Sequence, residues 1–178
     1  DQPFDEFTIE QLAGDLLPEA TIHQRVATAF HRQTLFNREG GVDAEEDRTK
    51  RVIDRATTTA TTWLGLTMEC AQCHDHPFDV WTQHQFYQLA AYTAGTNTRL
   101  TNRDFKRKGN PANKLIAEAK KQNLPRKQFN PIQRLIRANT FAVSETDRRL
   151  RLPHDYAYSD GKPNDVVQPE LLWGEIPA

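Results

Sequence analysis

Both cysteines of this 178-residue chain fall in one pentapeptide, Cys70-Ala71-Gln72-Cys73-His74. Cys-x-x-Cys-His is the attachment signature of haem c. Two thiols three residues apart on a helical turn can each add to one vinyl group of the same porphyrin. The next residue then sits beneath the iron and offers an imidazole as proximal ligand. With two Cys and six His in the chain, random placement yields this order roughly once in a few thousand sequences. Cys70, Cys73 and His74 are therefore the expected haem residues, with one covalent haem and His74 on the iron. Two other chemistries use the same residue types. Cys70 and Cys73 with His76 and His84 offer a zinc donor set. A thioredoxin-like redox pair needs a strand before a helix, and the run from Trp63 to Cys73 reads as helical throughout.

The residues around the motif suggest supporting roles. His76 is too tightly tethered to reach the distal face, so it is expected to hydrogen-bond behind the ligand, with Asp75 or Asp79 orienting the site. Met68 is a poor distal candidate for the same reason. His31, remote in sequence, is the first candidate for the sixth ligand. Trp63, Phe78, Trp81 and Tyr87 bracket the motif, either as a haem wall or as ordinary core. Glu39 to Glu46 packs four carboxylates beside two glycines. It lacks the alternating ligand spacing of a calcium loop and reads as an acidic helix start.

The elements that must position these groups are mainly helical. Helices are expected over 5–17, where Ile9, Leu12, Ala13 and Leu16 share a face, and over 21–36, opened by a Thr21/Gln24 capping box. A third spans 44–64, capped by Asp43, with Val52, Ile53, Ala56, Ala60, Trp63 and Leu64 along one side. A fourth covers 82–94, burying Phe86, Leu89 and Ala90 and stopping at Gly95. Two short helices follow near 111–122 and 131–138, each opened by an Asn-Pro pair. Leu115, Ile116, Leu135 and Ile136 are available to dock them. From Thr140 onward the pattern is extended: Phe141 to Val143, Leu150 to Leu152 and Tyr156 to Tyr158, with a turn at Asp160-Gly161. The expected organisation is a helical haem c-binding region over 1–95, a basic helical insertion over 96–138 and an extended tail or linker over 139–178.

A net charge of −1 conceals a strong asymmetry: −8 over residues 1–98, +10 over 99–137 and −3 over 138–178. The basic segment suits an acidic partner or the chain's own acidic body. Nucleic acid is excluded as a partner, because only Phe105 and Phe129 supply aromatics there and haem attachment occurs outside the cytoplasm. No apolar run approaches the roughly 20 residues of a membrane span.

Four blocks carry a family resemblance: Gln11 to Leu17, Glu39-Gly40-Gly41-Val42-Asp43, Leu64-Gly65-Leu66-Thr67, and Cys70 to Asp79 with His74-Asp75-His76. Together they resemble the planctomycete cytochrome c-like domain family, a domain of unknown function usually followed by a second uncharacterised domain. The family has a basic residue after the second His and Pro after the Asp, where this chain has Pro77 and Val80. The resemblance implies haem c, and that this chain is the C-terminal half of such a domain within a longer parent chain.

The functional expectation is a c-type cytochrome module passing single electrons to a redox partner protein in the periplasm or cell envelope. Two alternatives stand beside it. One is a haem enzyme of peroxidase type with an open distal side, for which Arg25, Arg32 and His31 are the candidates. The other is a structural domain of a larger envelope assembly.

Overall fold

The computed structural model describes residues 1–34, 37, 39–97, 111–137 and 144–170. The chain is mainly α, as the periodicities predict. It divides into two compact units: Asp1–Gln33 with Asn97–Glu145, and Thr34–Thr96 with Thr146–Ala178. The units cut across the three stretches read from sequence, because the chain leaves the second unit after Thr96 and returns to it at Thr146. Gly95 carbonyl accepts both the amide and the hydroxyl of Thr146, each at 2.9 Å, so the two ends of this excursion meet. Short strands β1 (Thr96–Asn97) and β2 (Ser144–Glu145) pair there.

The first unit holds α1 (Phe4–Ala13), α2 (Ile22–Ala27) with a 3-10 turn over Thr28–Arg32, α5 (Pro111–Lys121) and α6 (Arg126–Arg137). The Thr21/Gln24 capping box is present. The α-helical hydrogen bonding stops near Thr28, whose hydroxyl donates to Arg25 carbonyl at 2.7 Å and draws it from the regular ladder. Ile22 and Ala119 are fully buried, with Val26, Ala29, Ile116, Leu124 and Phe129 packed around them. The basic segment therefore docks on its own unit through apolar contacts, assisted by an Arg25–Glu118 ion pair at 3.4 Å. Leu115, Leu135 and Ile136 lie outside the described side chains, and Phe141 to Val143 outside the described residues.

Two expectations are corrected in this unit. Helix α1 buries no residue, and Ile9 and Leu16 are about half exposed or more (49% and 64%). A shared apolar face here is not a core face. Helix α6 begins at Arg126 rather than at Pro131. Pro125 ends the short turn after α5, and its carbonyl accepts from the amides of Gln128 and Phe129. Pro131 is then carried inside the helix, at the cost of one intrahelical bond.

The second unit is built on α3 (Ala44–Thr59), continued by a π turn over Ala60–Leu64, and on α4 (Gln83–Ala91). Asp43 caps α3 by accepting from the amides of Glu45 and Glu46 at 2.9 and 2.8 Å, which accounts for the acidic cluster. Asp47, Arg51 and Arg55 are buried on this helix. Arg51 pairs with Asp47 at 2.9 Å, and Arg55 donates to Thr96 carbonyl, so one buried guanidinium is held by an opposite charge and the other by a backbone acceptor. Val52, Ala56 and Ala60 meet Phe86, Tyr87 and Ala90 of α4 in one core. Leu150, Leu152, Tyr156 and Val167 complete it. The segment 146–170 is irregular: it turns at Pro153–Tyr156 and at Lys162–Asp165, and folds on itself through an antiparallel bridge between Arg151 and Val166. It is a core element of this unit.

Candidate functional site

The stretch from Trp63 to Cys73 is not one helix. Gly65 adopts φ +66°, a left-handed conformation that ends the π turn and redirects the chain. A separate 3-10 turn then runs over Met68–Gln72. Three residues per turn place positions i and i+3 on the same line. Met68 and Ala71 share one line and are completely buried, each at 0% exposure. Cys70 and Cys73 share another of the three, and both cysteines are free and exposed. Burial of the apolar pair thus turns both cysteines outward together. Cys73 amide donates to Cys70 carbonyl at 3.3 Å and closes the turn.

Helix α4 holds this turn from behind. Gln72 carbonyl accepts from Gln83 Nε2 at 2.9 Å and from the Tyr87 hydroxyl at 3.2 Å. Both donors are buried. Burial pushes the Tyr87 phenol up to about 12, with the charges of Cys73 and Asp155 adding to it. Tyr87 therefore remains a donor throughout the neutral range.

His74 is exposed, and its Nδ1 stands 2.7 Å from Asp75 carbonyl. A carbonyl only accepts, so Nδ1 carries the proton in this contact, and Nε2 is the nitrogen not engaged by it. Asp75 is the hub of the loop. Its amide donates to the Tyr158 hydroxyl oxygen at 3.0 Å, and its carboxylate Oδ1 accepts from Gln83 amide at 2.8 Å. That places a negative charge at the first turn of α4, where the helix dipole favours it.

His76 is committed at both ring nitrogens. Nε2–H donates to Thr67 carbonyl at 3.1 Å, and Nδ1 accepts from Phe78 amide at 3.3 Å. Its own amide donates to Trp81 carbonyl at 2.8 Å. His76 thus clamps the loop after the motif onto the residue that opens the 3-10 turn. Its partners are Thr67 and Phe78 rather than Asp75 or Asp79. Asp79 is exposed and accepts from the Val80 amide in a turn of its own. Phe78 and Val80 project from this clamped loop at 95% and 79% exposure. Trp81 packs against the core and Tyr87 lies within it, so of the four bracketing aromatics these two are core.

His84 belongs to another cluster. Its Nδ1 lies 3.2 Å from Asp160, which also accepts from the Tyr156 hydroxyl. Among the described residues no group of three or more His, Cys, Asp or Glu side chains is placed to hold a metal ion. The zinc set of Cys70, Cys73, His76 and His84 is therefore not assembled. His31 is part of the first unit, whereas the motif is part of the second. It is 5% exposed, and its Nε2 is engaged with Leu12 carbonyl at 2.8 Å. A cleft lined by Asp43, Glu46, Asp47, Lys50, Arg51 and Asp54 is charged but largely self-paired, Glu46 with Lys50 and Asp47 with Arg51.

The family described as PSCyt2, protein of unknown function (DUF1549), matches residues 1–98, more than half of the chain and all of the Cys70–His74 site. The chain belongs to this family. No curated protein and no solved structure matches it. The PSCyt2 match covers α1 to α4 and ends where the basic excursion begins. Tyr158, which reaches the site from outside the matched PSCyt2 region, and Gln83, whose side chain carries no motif, had no signal in the sequence. Among the described residues no helix is long and apolar enough to cross a membrane.

Proposed function

We propose that this chain is a c-type cytochrome module that carries one haem on Cys70 and Cys73, ligated by His74, and passes single electrons to a redox partner protein in the cell envelope. The observation that carries the reading is the arrangement of the three donors. Two exposed cysteines lie on one line of a 3-10 turn, and the next side chain has Nδ1 tied down and Nε2 open. Ligating histidines characteristically donate their second ring nitrogen to a carbonyl or carboxylate in this way. The exposed Phe78 and Val80 add an apolar surface a few residues beyond the ligand, suited to a large flat hydrophobic group.

Bound haem c supplies a one-electron iron couple, and the residues described here would fix it in place and tune it. Cys70 and Cys73 hold it covalently. His74 supplies the proximal nitrogen. Gln83 and Tyr87 keep the backbone between the cysteines from shifting, and His76 keeps the following loop closed. The envelope setting follows from where haem c is attached. That the chain is the C-terminal part of a larger cytochrome-like domain rests on the resemblance of the four sequence blocks.

Expression with a haem-attachment system, followed by denaturing electrophoresis with haem staining and intact mass measurement, tests this directly. The expected result is one haem retained on the denatured chain and lost in the Cys70→Ser/Cys73→Ser variant. A colourless chain of bare polypeptide mass would overturn it.

A further inference from the structure

We propose that Tyr158 is a positioning residue for His74, so that the segment 146–170 sets the ring orientation and electronic character of the proximal ligand. The proposal rests on the haem reading for its consequence, though not for its geometry. Three contacts form one connected path. The Tyr158 hydroxyl oxygen accepts from Asp75 amide at 3.0 Å, across 83 positions of sequence. Asp75 carbonyl accepts from His74 Nδ1 at 2.7 Å. The Asp75 carboxylate accepts from Gln83 amide at 2.8 Å. Asp75 is therefore attached to two separate elements, through its amide to the segment 146–170 and through its side chain to α4.

The physical argument turns on exposure. His74 and Asp75 are both exposed, so water competes for every hydrogen bond they make. A carbonyl one residue along from a histidine holds the imidazole in one tautomer only if the intervening peptide is itself immobile. Tyr158 supplies that restraint. It is half-buried, its ring stacks edge-on against buried Tyr156 with centroids 5.8 Å apart, and Tyr156 is a member of the core. Rigidity is thus passed from the core through two aromatic rings to an exposed peptide. A hydrogen bond from Nδ1–H to a carbonyl raises the basicity of the ligand. Weakening it lowers donation from Nε2 and favours the reduced iron.

The test is Tyr158→Phe, which removes one oxygen and keeps the ring. In the full-length haem-free chain, nitrogen NMR of the His74 imidazole should show the Nδ1–H tautomer dominant in the parent protein. The variant should show a mixture. In the haem-loaded chain the variant should retain its covalent haem while its midpoint potential shifts upward and the His74 ring resonances move. Tyr156→Phe, which alters the Tyr156–Asp160 bond without touching Asp75, should leave the His74 tautomer unchanged. Should Tyr158→Phe fail to fold, fluorotyrosine at position 158 weakens the hydroxyl as an acceptor and should move the same signals in the same direction. An unchanged tautomer and potential in the position-158 variants would overturn the proposal, as would equal changes from Tyr156→Phe. If the parent chain takes up no haem, the haem reading fails, while the tautomer measurement still decides the role of Tyr158.

Discussion

Replacing Tyr87 with Phe should flatten the alkaline side of the stability profile. The Tyr87 phenol is pushed up to about 12 from an ordinary 10.0, first by burial and then by the charges of Cys73 and Asp155. Each unit of displacement corresponds to about 1.4 kcal/mol between the two protonation states, so two units amount to about 2–3 kcal/mol. The folded value lies above the unfolded one. The contribution is therefore complete below pH 10 and disappears as pH rises from 10 to about 12, because the unfolded chain loses its proton first. Tyr87→Phe removes that dependence. It also costs about 1 kcal/mol at neutral pH through the lost hydrogen bond, although Gln72 carbonyl keeps Gln83 as donor. Denaturant unfolding of both proteins from about pH 8 to about pH 12 should show the stability difference shrinking or reversing on the alkaline side. Tyr156, also raised by burial and by its bond to Asp160, is present in both proteins and cancels in the comparison. If haem is attached as proposed, Cys73 would become an uncharged thioether, and the effect should be somewhat smaller but persist, burial being its main cause. A stability difference constant across the whole range would refute the reasoning.

A methyl group at Gly14 would collide with the backbone carbonyls of Gln24 and Glu10, so Gly14→Ala should destabilise the first unit by about 1–3 kcal/mol, read by thermal or denaturant unfolding. Removal of the α3 cap in Asp43→Ala should cost about 1 kcal/mol and lower the melting temperature by a few degrees, without altering the Cys70–His74 turn. Truncation after Glu145 removes Leu150, Leu152, Tyr156 and Val167 from the core of the second unit, and circular dichroism should report loss of its cooperative melting. His74→Ala should abolish the proximal-ligand signature in the haem spectrum, whereas His84→Ala, which loses contacts with Asp160 and Tyr156, should leave that signature in place.

The positions of most helices were legible because amphipathic period, capping residues and Pro/Gly punctuation are local properties. Thr21/Gln24 and Asp43 cap where their spacing predicts. The candidate site could be singled out for the same reason: Cys70, Cys73 and His74 fall within five consecutive residues. What local pattern could not supply was the partner of each face. The apolar side of α1 looks like that of any core helix, yet among the described residues Leu12 and Ala13 are only partly covered and Ile9 stays exposed. Gly65 offers its left-handed turn only as an option in sequence, and the packing of Met68 and Ala71 against the core turns that option into a break and sends both cysteines outward. His76 carries two nitrogens that sequence reasoning could only aim generally at the site, and tertiary contacts assign them to Thr67 and Phe78. The segment 146–170 reads as an extended tail because its few apolar residues are scattered. They are core because the chain returns 51 positions after Gly95, at Thr146, and sets them against α3 and α4. Contacts across such separations depend on the path of the whole backbone, which no local pattern records.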